Sequence, residues 1–133
     1  MPDDKPMTDP LEERRARLDA EYARREAKAK AMGGPERLAK RAATTGVLDA
    51  RARIAKLFDA DTFIESGLFT TSANPADAER SPSDGKIAGF GKIRGREAAV
   101  VCNDFTVLGA SSGATNGRKI AHMKRVATER GMP

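Results

Sequence analysis

The sequence predicts an α/β fold in which two antiparallel strands lead into a long helix. Two apolar runs, KIAGFGKI and REAAVVCNDFTVL, are separated by Arg94-Gly95, where Gly95 can adopt the positive φ of a hairpin turn. A helical pattern follows from about Ser112 to Arg130, and Gly131 ends it. The order strand, strand, helix indicates one α/β unit.

Composition indicates that part of the chain lies outside a packed core. The 133 residues suffice for one modest domain, with 39% apolar and 32% charged residues. A typical domain has about 45–50% apolar and about 25% charged residues. Residues 1–56 hold fourteen Lys and Arg against ten Asp and Glu, and the signs alternate in RRARLDAEYARREAKAK. Such alternation is typical of a solvated helix face, so we expect no nucleic-acid partner.

The first segment, residues 1–34, is predicted to be a charged helical extension. Thr8 or Asp9 can cap the helix, and Gly33-Gly34 ends it. Its apolar positions are too few for a full buried stripe: Leu11, Leu18 and Tyr22. The helix should therefore lie on a surface or pack against a partner subunit.

Residues 35–133 contain the remaining predicted elements. A short helix spans about 35–43, and a second begins after Asp49 with one apolar face: Ile54, Leu57 and Phe58. DTFIE is a short strand, and residues 70–85 form a long loop of the kind that tends to be functional or mobile. In the later hairpin, the nearly continuous apolar run Ala98–Cys102 predicts a central strand covered on both faces.

The glycines of GFGKIRG do not form a dinucleotide fingerprint. The last spacing of G-x-G-x-x-G is one residue too long, and the glycines lie in a hairpin instead of at the start of a helix. They are better explained by a bulge or by close packing.

The loop GASSGATNGRK places small residues before the last helix. Backbone amides from Gly109 to Gly113 would stand at a helix N-terminus, which favours anions and oxyanions. The same residues match G-x-S-x-G, the pattern of a hydrolase nucleophile elbow. The chain's single histidine, His122, lies three turns along the same helix and cannot reach the serine as a triad base. We therefore reject a serine hydrolase.

Cations follow this loop at spacings that put several of them on one helical face: Arg118, Lys119, Lys124 and Arg125. They form either a solvated helix surface or a basic rim for phosphates such as those of coenzyme A. Cys102, the single cysteine, is expected to be a core residue in a reducing compartment. No apolar run is long enough to span a membrane, and MPDDKPMTDP does not look like a signal peptide, so a cytoplasmic protein is the default.

Two long stretches resemble one enzyme family. GGPERLAKRAATTGVLDARARIAKLFDADTFIESGLF is similar to the opening of the carboxyltransferase (beta) subunit of biotin-dependent acyl-CoA carboxylases of the acetyl-/propionyl-CoA type. SDGKIAGFGKIRGREAAVVCNDFTVLGASSG resembles that family's G-R-x-V-x-V-x-x-x-D-F-T-V-x-G-G-S-x-G segment. The resemblance runs from about Gly33 to Pro133.

The resemblance implies a partial crotonase-like fold of stacked ββα units. It implies transfer of a carboxyl group from carboxybiotin, carried on a partner, to the α-carbon of an acyl-CoA. Backbone amides, not a side-chain nucleophile, would stabilise the enolate oxyanion. The acyl-CoA-binding residues would be Gly109, Ala110, Ser111, Ser112, Arg118 and Lys119, with no catalytic side chain and no metal. The partners would be the acyl-CoA, a biotin carboxylase or biotin carrier subunit, and further copies of the subunit.

The sequence also departs from the family pattern in two respects. Ala110 replaces the family's second glycine, which puts acyl-CoA specificity in question. The family continues beyond the final GMP into a further oxyanion loop and a biotin-side domain. The chain is therefore expected to be an N-terminal fragment, inactive alone. The alternative is a non-catalytic binding or assembly module that uses the N-terminal helix.

Overall fold

The computed structural model describes residues 9–133, which form four helices and a three-stranded antiparallel sheet. The elements in chain order are α1 (Pro10–Lys30), α2 (Pro35–Thr45), α3 (Ala50–Leu57), β1 (Ile64–Ser66), β2 (Lys86–Ile93), β3 (Arg96–Asn103) and α4 (Ala114–Arg130). Short 3₁₀ turns occupy Ala78–Arg80, Pro82–Gly85 and Leu108–Ala110. The predicted order strand, strand, helix is confirmed. Thr8 and most of the segment compared with a signal peptide lie outside the described residues.

The sheet order corrects the prediction for the second hairpin strand. Among residues 9–133 the order is β1-β2-β3, so β2 is the middle strand and β3 has a strand partner on one side. Ile87 and Ala88 of β2 are 1% and 0% exposed, whereas Val101 of β3 is 36% exposed. The apolar run of β3 therefore does not mark a strand covered on both faces.

Strand β3 is also shorter than the apolar run of the sequence predicts. It ends at Asn103, because a turn begins at Asp104: the Asp104 carbonyl accepts the Val107 N–H at 3.2 Å, and the Asp104 carboxylate accepts the Thr106 N–H at 3.0 Å. Val107, which the sequence assigns to the same strand, is buried but lies in the turn that follows.

The core lies between α3 and the sheet. Its buried cluster consists of Met32, Ala50, Ile54, Phe58, Ile87 and Ala98. Of the predicted apolar face of α3, Ile54 and Phe58 are buried, but Leu57 is 46% exposed. Phe58 stacks on Phe63 with ring centroids 5.5 Å apart, which extends the core toward β1.

Two glycines of β2 permit this close packing. A Cβ at Gly89 would lie 2.2 Å from the carbonyl oxygen of Ile64, and one at Gly91 would lie 2.6 Å from the ring of Phe58. Both approaches are too short for any side chain. The close-packing explanation of GFGKIRG is therefore confirmed for Gly89 and Gly91, whereas Gly95 has open space around it and has a positive φ in the hairpin turn.

Helix α1 lies on the surface, as predicted. Asp9 caps it by accepting the Leu11 N–H at 2.9 Å. Leu11, Leu18 and Tyr22 stay exposed, and the Tyr22 ring meets Phe69 edge to face.

The end of α1 joins the rest of the structure. Met32 is buried in the core, and the Gly33 N–H donates to Thr106 Oγ1 at 2.9 Å. Packing therefore crosses the predicted segment boundary at residue 34.

Candidate functional site

The turn before α4 has an unusual backbone. Leu108, Gly109 and Ala110 all have positive φ, at 45°, 61° and 55°. Glycine adopts this conformation freely, but leucine and alanine do so at a cost of about 1–3 kcal/mol each. Surrounding contacts must therefore hold this turn in place.

Two buried side chains hold it. Lys86, only 4% exposed, donates from Nζ to the Ala110 carbonyl at 2.6 Å. Asn116, 2% exposed, donates from Nδ2 to the Ser111 carbonyl at 2.9 Å and accepts the Gly113 N–H at 3.0 Å. These bonds fix the direction of consecutive peptide groups, because the carbonyls of Ala110 and Ser111 point toward the interior.

Asp84 orients Asn116 in turn. Its carboxylate accepts the Asn116 backbone N–H at 2.8 Å, and its carbonyl accepts the Asn116 side-chain N–H at 3.2 Å. Asp84 and the preceding Ser83 themselves have positive φ. A second strained turn, within the loop predicted at 70–85, is thus packed under the first. The end of that loop is part of the buried interior, not an open connection.

Lys119 lies inside this network. It is 7% exposed, and Nζ donates to the carbonyls of Ser83 and Lys86 at 2.7 Å each. Burial lowers the pKa of Lys119 to about 8, although the carboxylates of Glu65 and Asp84 favour its charged form. The Lys119 ammonium therefore bonds to carbonyl groups of the protein itself.

An ion pair between α3 and β1 lies next to the turn at Ser83. Arg51 and Glu65 form a two-pronged pair, with Nη1 to Oε2 at 2.7 Å and Nη2 to Oε1 at 3.2 Å. Ser83 Oγ donates to the Leu68 carbonyl at 2.9 Å and lies 3.4 Å from Glu65. The turn at Ser83 is thereby fixed to both β1 and α3.

The result is a row of free amides at the start of α4. Within residues 9–133, the N–H groups of Ser112, Ala114 and Thr115 have no hydrogen-bond acceptor in the protein. The first N–H groups of a helix carry partial positive charge along its axis. This short segment can therefore bind an oxyanion through backbone groups alone.

The predicted site residues fall into three groups. Gly109, Ala110, Ser111 and Ser112 lie together in the turn, and both serines are exposed. Arg118 is exposed on α4, whereas Lys119 lies in the interior beneath the turn.

Sequence reasoning missed Asp84, Lys86 and Asn116, which hold the turn. The sequence contains two features that could have indicated these residues. Polar residues flank Gly85, and Asn116 stands in the first turn of a predicted helix, where a side chain can cap the helix.

The other nucleophile candidates have no support in the described residues. His122 is exposed, and its Nδ1 lies 3.3 Å from Arg125 Nη2. Burial raises the pKa of the Cys102 thiol, which disfavours the reactive thiolate.

Comparison with known proteins identifies the family of the chain. Residues 41–133 match the carboxyl transferase domain family. The methylmalonyl-CoA decarboxylase subunit alpha of Veillonella parvula is 38% identical over 110 residues, covering 80% of this chain and 21% of that protein. The biotin-dependent long chain acyl-coenzyme A carboxylase beta4 subunit of Mycobacterium tuberculosis is 35% identical over 127 residues, covering 96% and 24%.

A solved structure shows the same fold. Transcarboxylase 12S, crystallised with methylmalonyl-coenzyme A and methylmalonic acid, aligns with a TM-score of 0.78 at 30% identity, over 94% of this chain and 24% of that chain. The fold is thus part of a crotonase-like carboxyltransferase domain, as predicted. The chain belongs to the carboxyl transferase domain family. It spans about a fifth to a quarter of the length of these relatives. Among residues 9–133, no helix has the length and apolar character to cross a membrane.

Proposed function

We propose that this chain forms the acyl-CoA-binding part of a carboxyltransferase subunit of a biotin-dependent acyl-CoA carboxylase. The whole enzyme would move a carboxyl group from carboxybiotin to the α-carbon of an acyl-CoA. The observation that carries the proposal is the strained turn at residues 108–111. It is held by Lys86 and Asn116 so that the amides of Ser112, Ala114 and Thr115 stay free.

The chemistry requires such a site. Removing a proton from the α-carbon of a thioester leaves negative charge on the thioester oxygen. Fixed N–H dipoles stabilise that charge without having to reorient during the reaction. The Ser111 carbonyl shares its peptide group with the Ser112 N–H, so the buried bond from Asn116 fixes the direction of that amide, and the bond from Lys86 holds the preceding peptide group.

Biotin would be supplied by a partner. The carboxybiotin group brings the carboxyl that is transferred, and a biotin carboxylase or biotin carrier subunit would carry it. The M. tuberculosis relative is named as biotin-dependent, and the transcarboxylase 12S structure is described as a hexamer assembly. On that basis we include a biotin-carrying partner and self-association in the proposal, whereas a cytoplasmic location stays a prediction from the sequence. The free amides suit an anionic oxygen, but no described residue is specific for the biotin ring, so we assign none to it.

The two predicted phosphate ligands take different roles in this proposal. Arg118 is exposed and free to meet a phosphate. Lys119 is buried beneath the turn and contributes indirectly, because its Nζ donates to the Ser83 and Lys86 carbonyls. We keep residues 1–34 as an extension and 35–133 as part of the carboxyltransferase domain, with Met32 and Gly33 as the packed junction.

Calorimetric titration with propionyl-CoA tests the proposal. Ala114→Pro removes one free amide at the first helical position, where proline is tolerated, and the preceding Gly113 is already extended. We expect binding to weaken about tenfold, the effect of one hydrogen bond to a charged group. Thr115→Ala keeps its amide and should bind as the wild type does. Absence of binding, or equal binding by both variants, would contradict the proposal.

A second candidate function, subunit assembly through α1, has one specific observation in its favour. Leu11, Leu18 and Tyr22 are 73%, 61% and 56% exposed on this helix. Light scattering on wild type and on Leu11→Ser/Leu18→Ser distinguishes it. Oligomers lost in the variant, together with no coenzyme A binding by the wild type, would favour assembly alone.

A further inference from the structure

We propose that Thr71 is a phosphorylation site whose phosphate binds to cations of α1, in a cavity between this helix and the loop that follows β1. The cavity has a volume of about 300 Å³, and its lining includes Thr71 together with Arg24, Arg25 and Lys28. Sites for small molecules usually measure about 300–1,000 Å³, so this cavity suits a single phosphate group better than a cofactor. The inference does not depend on the proposed function.

The cavity is richer in cations than in carboxylates. Arg24, Arg25 and Lys28 lie on neighbouring turns of α1, and among residues 9–133 that line the cavity Glu79 alone carries a carboxylate. Arg25 donates from Nε to Glu21 at 2.6 Å, and its two terminal nitrogens form no hydrogen bond within the described residues. A guanidinium with unused donors binds phosphate oxygens well, because its planar fork matches their geometry.

Glu79 is the carboxylate that a phosphate would compete with. Its side chain is 91% exposed and pairs with Lys28, whose ammonium lowers the pKa of Glu79. An exposed pair of one carboxylate and one ammonium is weak. A phosphorylated side chain carries about −1.5 to −2 charges and three acceptor oxygens, so it should attract Lys28 more strongly than Glu79 does.

The hydroxyl of Thr71 differs from the other hydroxyls of the loop. Thr71 is exposed, lies in the irregular segment after β1, and forms no hydrogen bond from its side chain within residues 9–133. The hydroxyls of Thr70, Ser81 and Ser83 donate to backbone carbonyls, and that of Ser72 accepts a backbone N–H. Thr71 is therefore the hydroxyl of this loop that a modifying enzyme can reach without breaking a bond of the fold.

The modification requires a protein kinase and a nucleoside triphosphate. The Thr71 Oγ attacks the γ-phosphorus, and the bond from that phosphorus to the bridging β–γ oxygen breaks. The electron pair of this bond leaves with the nucleoside diphosphate, and the hydroxyl proton passes to the catalytic aspartate of the kinase. The product is a phosphothreonine beside three cations.

The phosphate would connect α1 to the segment beneath the candidate site. Ser83, at the end of the same loop, donates from Oγ to the Leu68 carbonyl at 2.9 Å, and the next residue, Asp84, orients Asn116. Arg24, Arg25 and Lys28 belong to the N-terminal extension. Modification of Thr71 should therefore fix the extension against this loop and leave the free amides of α4 as they are.

Phosphorus NMR on the 133-residue chain with phosphothreonine at position 71, introduced by genetic code expansion, tests the contact. The phosphate should lose its second proton about one pH unit or more below its ordinary pKa of about 6, because the cations favour the dianion. Arg25→Gln and Lys28→Gln should each bring this pKa back toward 6. Lys56→Gln, which removes an exposed cation of α3 outside the cavity, should leave the lowered value unchanged. Circular dichroism checks that each variant is folded.

A phosphate elsewhere in the same loop is the matched control. Ala73 is exposed and does not line the cavity, so phosphoserine introduced there should titrate near pH 6. Equal pKa values for the phosphates at positions 71 and 73 would overturn the proposal. Saturable binding of inorganic phosphate to the unmodified chain, abolished by Arg25→Gln, would assign the cavity to a free anion and would also overturn it.

Mass spectrometry on the protein isolated from its own cells tests whether the modification occurs. Trypsin cleaves after Lys56 and Arg80, so one peptide carries Thr70, Thr71 and Ser72, and fragmentation distinguishes the three positions. A phosphate on Thr71 would support the proposal. A peptide that is unmodified under all growth conditions, or modified at Thr70 or Ser72 instead, would overturn it.

Discussion

The side-chain nitrogen of Lys86 lies 2.6 Å from the carbonyl oxygen of Ala110, 24 residues further along the chain. This bond joins the first residue of β2 to a turn in which Ala110 has a positive φ. The strained turn is therefore held by the sheet and is not merely a connection to α4.

Replacing Lys86 with methionine should loosen that turn. The Ala110 carbonyl would lose its partner, and we expect the free energy of unfolding to fall by about 1–3 kcal/mol. Urea denaturation measures the change, and titration with propionyl-CoA should show weaker binding. Lys92→Met, at an exposed position of the same strand, is the matched control. Equal stabilities of the two variants would show that the bond does not hold the turn.

Lys119 should make stability depend on pH. Its folded-state pKa is about 8, below the ordinary 10.5, because burial disfavours the charge. Between pH 8 and 10.5 the unfolded chain then binds more protons, so the free energy of unfolding should rise with pH. The shift corresponds to roughly 3 kcal/mol over this window.

The comparison with Lys119→Met isolates this contribution. The difference in unfolding free energy, wild type minus variant, should grow as pH is raised from 7.5 to 10. A difference that stays constant would mean that Lys119 has an ordinary pKa in the folded protein.

The glycines of β2 and α4 should respond in opposite directions to alanine. Gly89→Ala would bring a methyl group against the Ile64 carbonyl and Phe63, so we expect a loss of about 1–3 kcal/mol or more. Gly117→Ala meets open space in a helix and should add about 0.5–1 kcal/mol. Thermal unfolding of both variants measures the contrast. A neutral Gly89→Ala would contradict the close approach of β1 to β2.

Cys102 should react slowly with alkylating reagents. Burial raises the pKa of its thiol, so the thiolate is scarce near neutral pH. Iodoacetamide labelling at pH 7.5, followed by mass spectrometry, should be slower for the folded chain than for the chain in urea. Equal rates would indicate an accessible, reactive thiol and would reopen a nucleophilic role.

Local signals in the sequence predicted most of the elements. Asp9 and Asp49 cap their helices as expected, Gly131 ends α4, and Gly95 closes the hairpin. These features depend on neighbouring residues, so a pattern along the chain reveals them.

The predictions failed where contacts between residues far apart in the sequence determine the structure. The order of strands depends on β1 pairing with β2, which the apolar run of β3 does not reveal. Likewise, the position of Lys119 in the helix sequence does not distinguish it from an exposed cation. Only its contacts with Ser83 and Lys86 place it in the interior. The candidate turn was predictable from its small residues, but the side chains that hold it were not.

The most direct test of the central claim is an amide NMR titration of the ¹⁵N-labelled chain with propionyl-CoA. If the start of α4 receives the thioester oxygen, the N–H signals of Ser112, Ala114 and Thr115 should shift most. Signals of Gly95 in the hairpin turn should stay in place. Shifts confined to α1, or none at saturating ligand, would contradict the assignment of this turn as the acyl-CoA site.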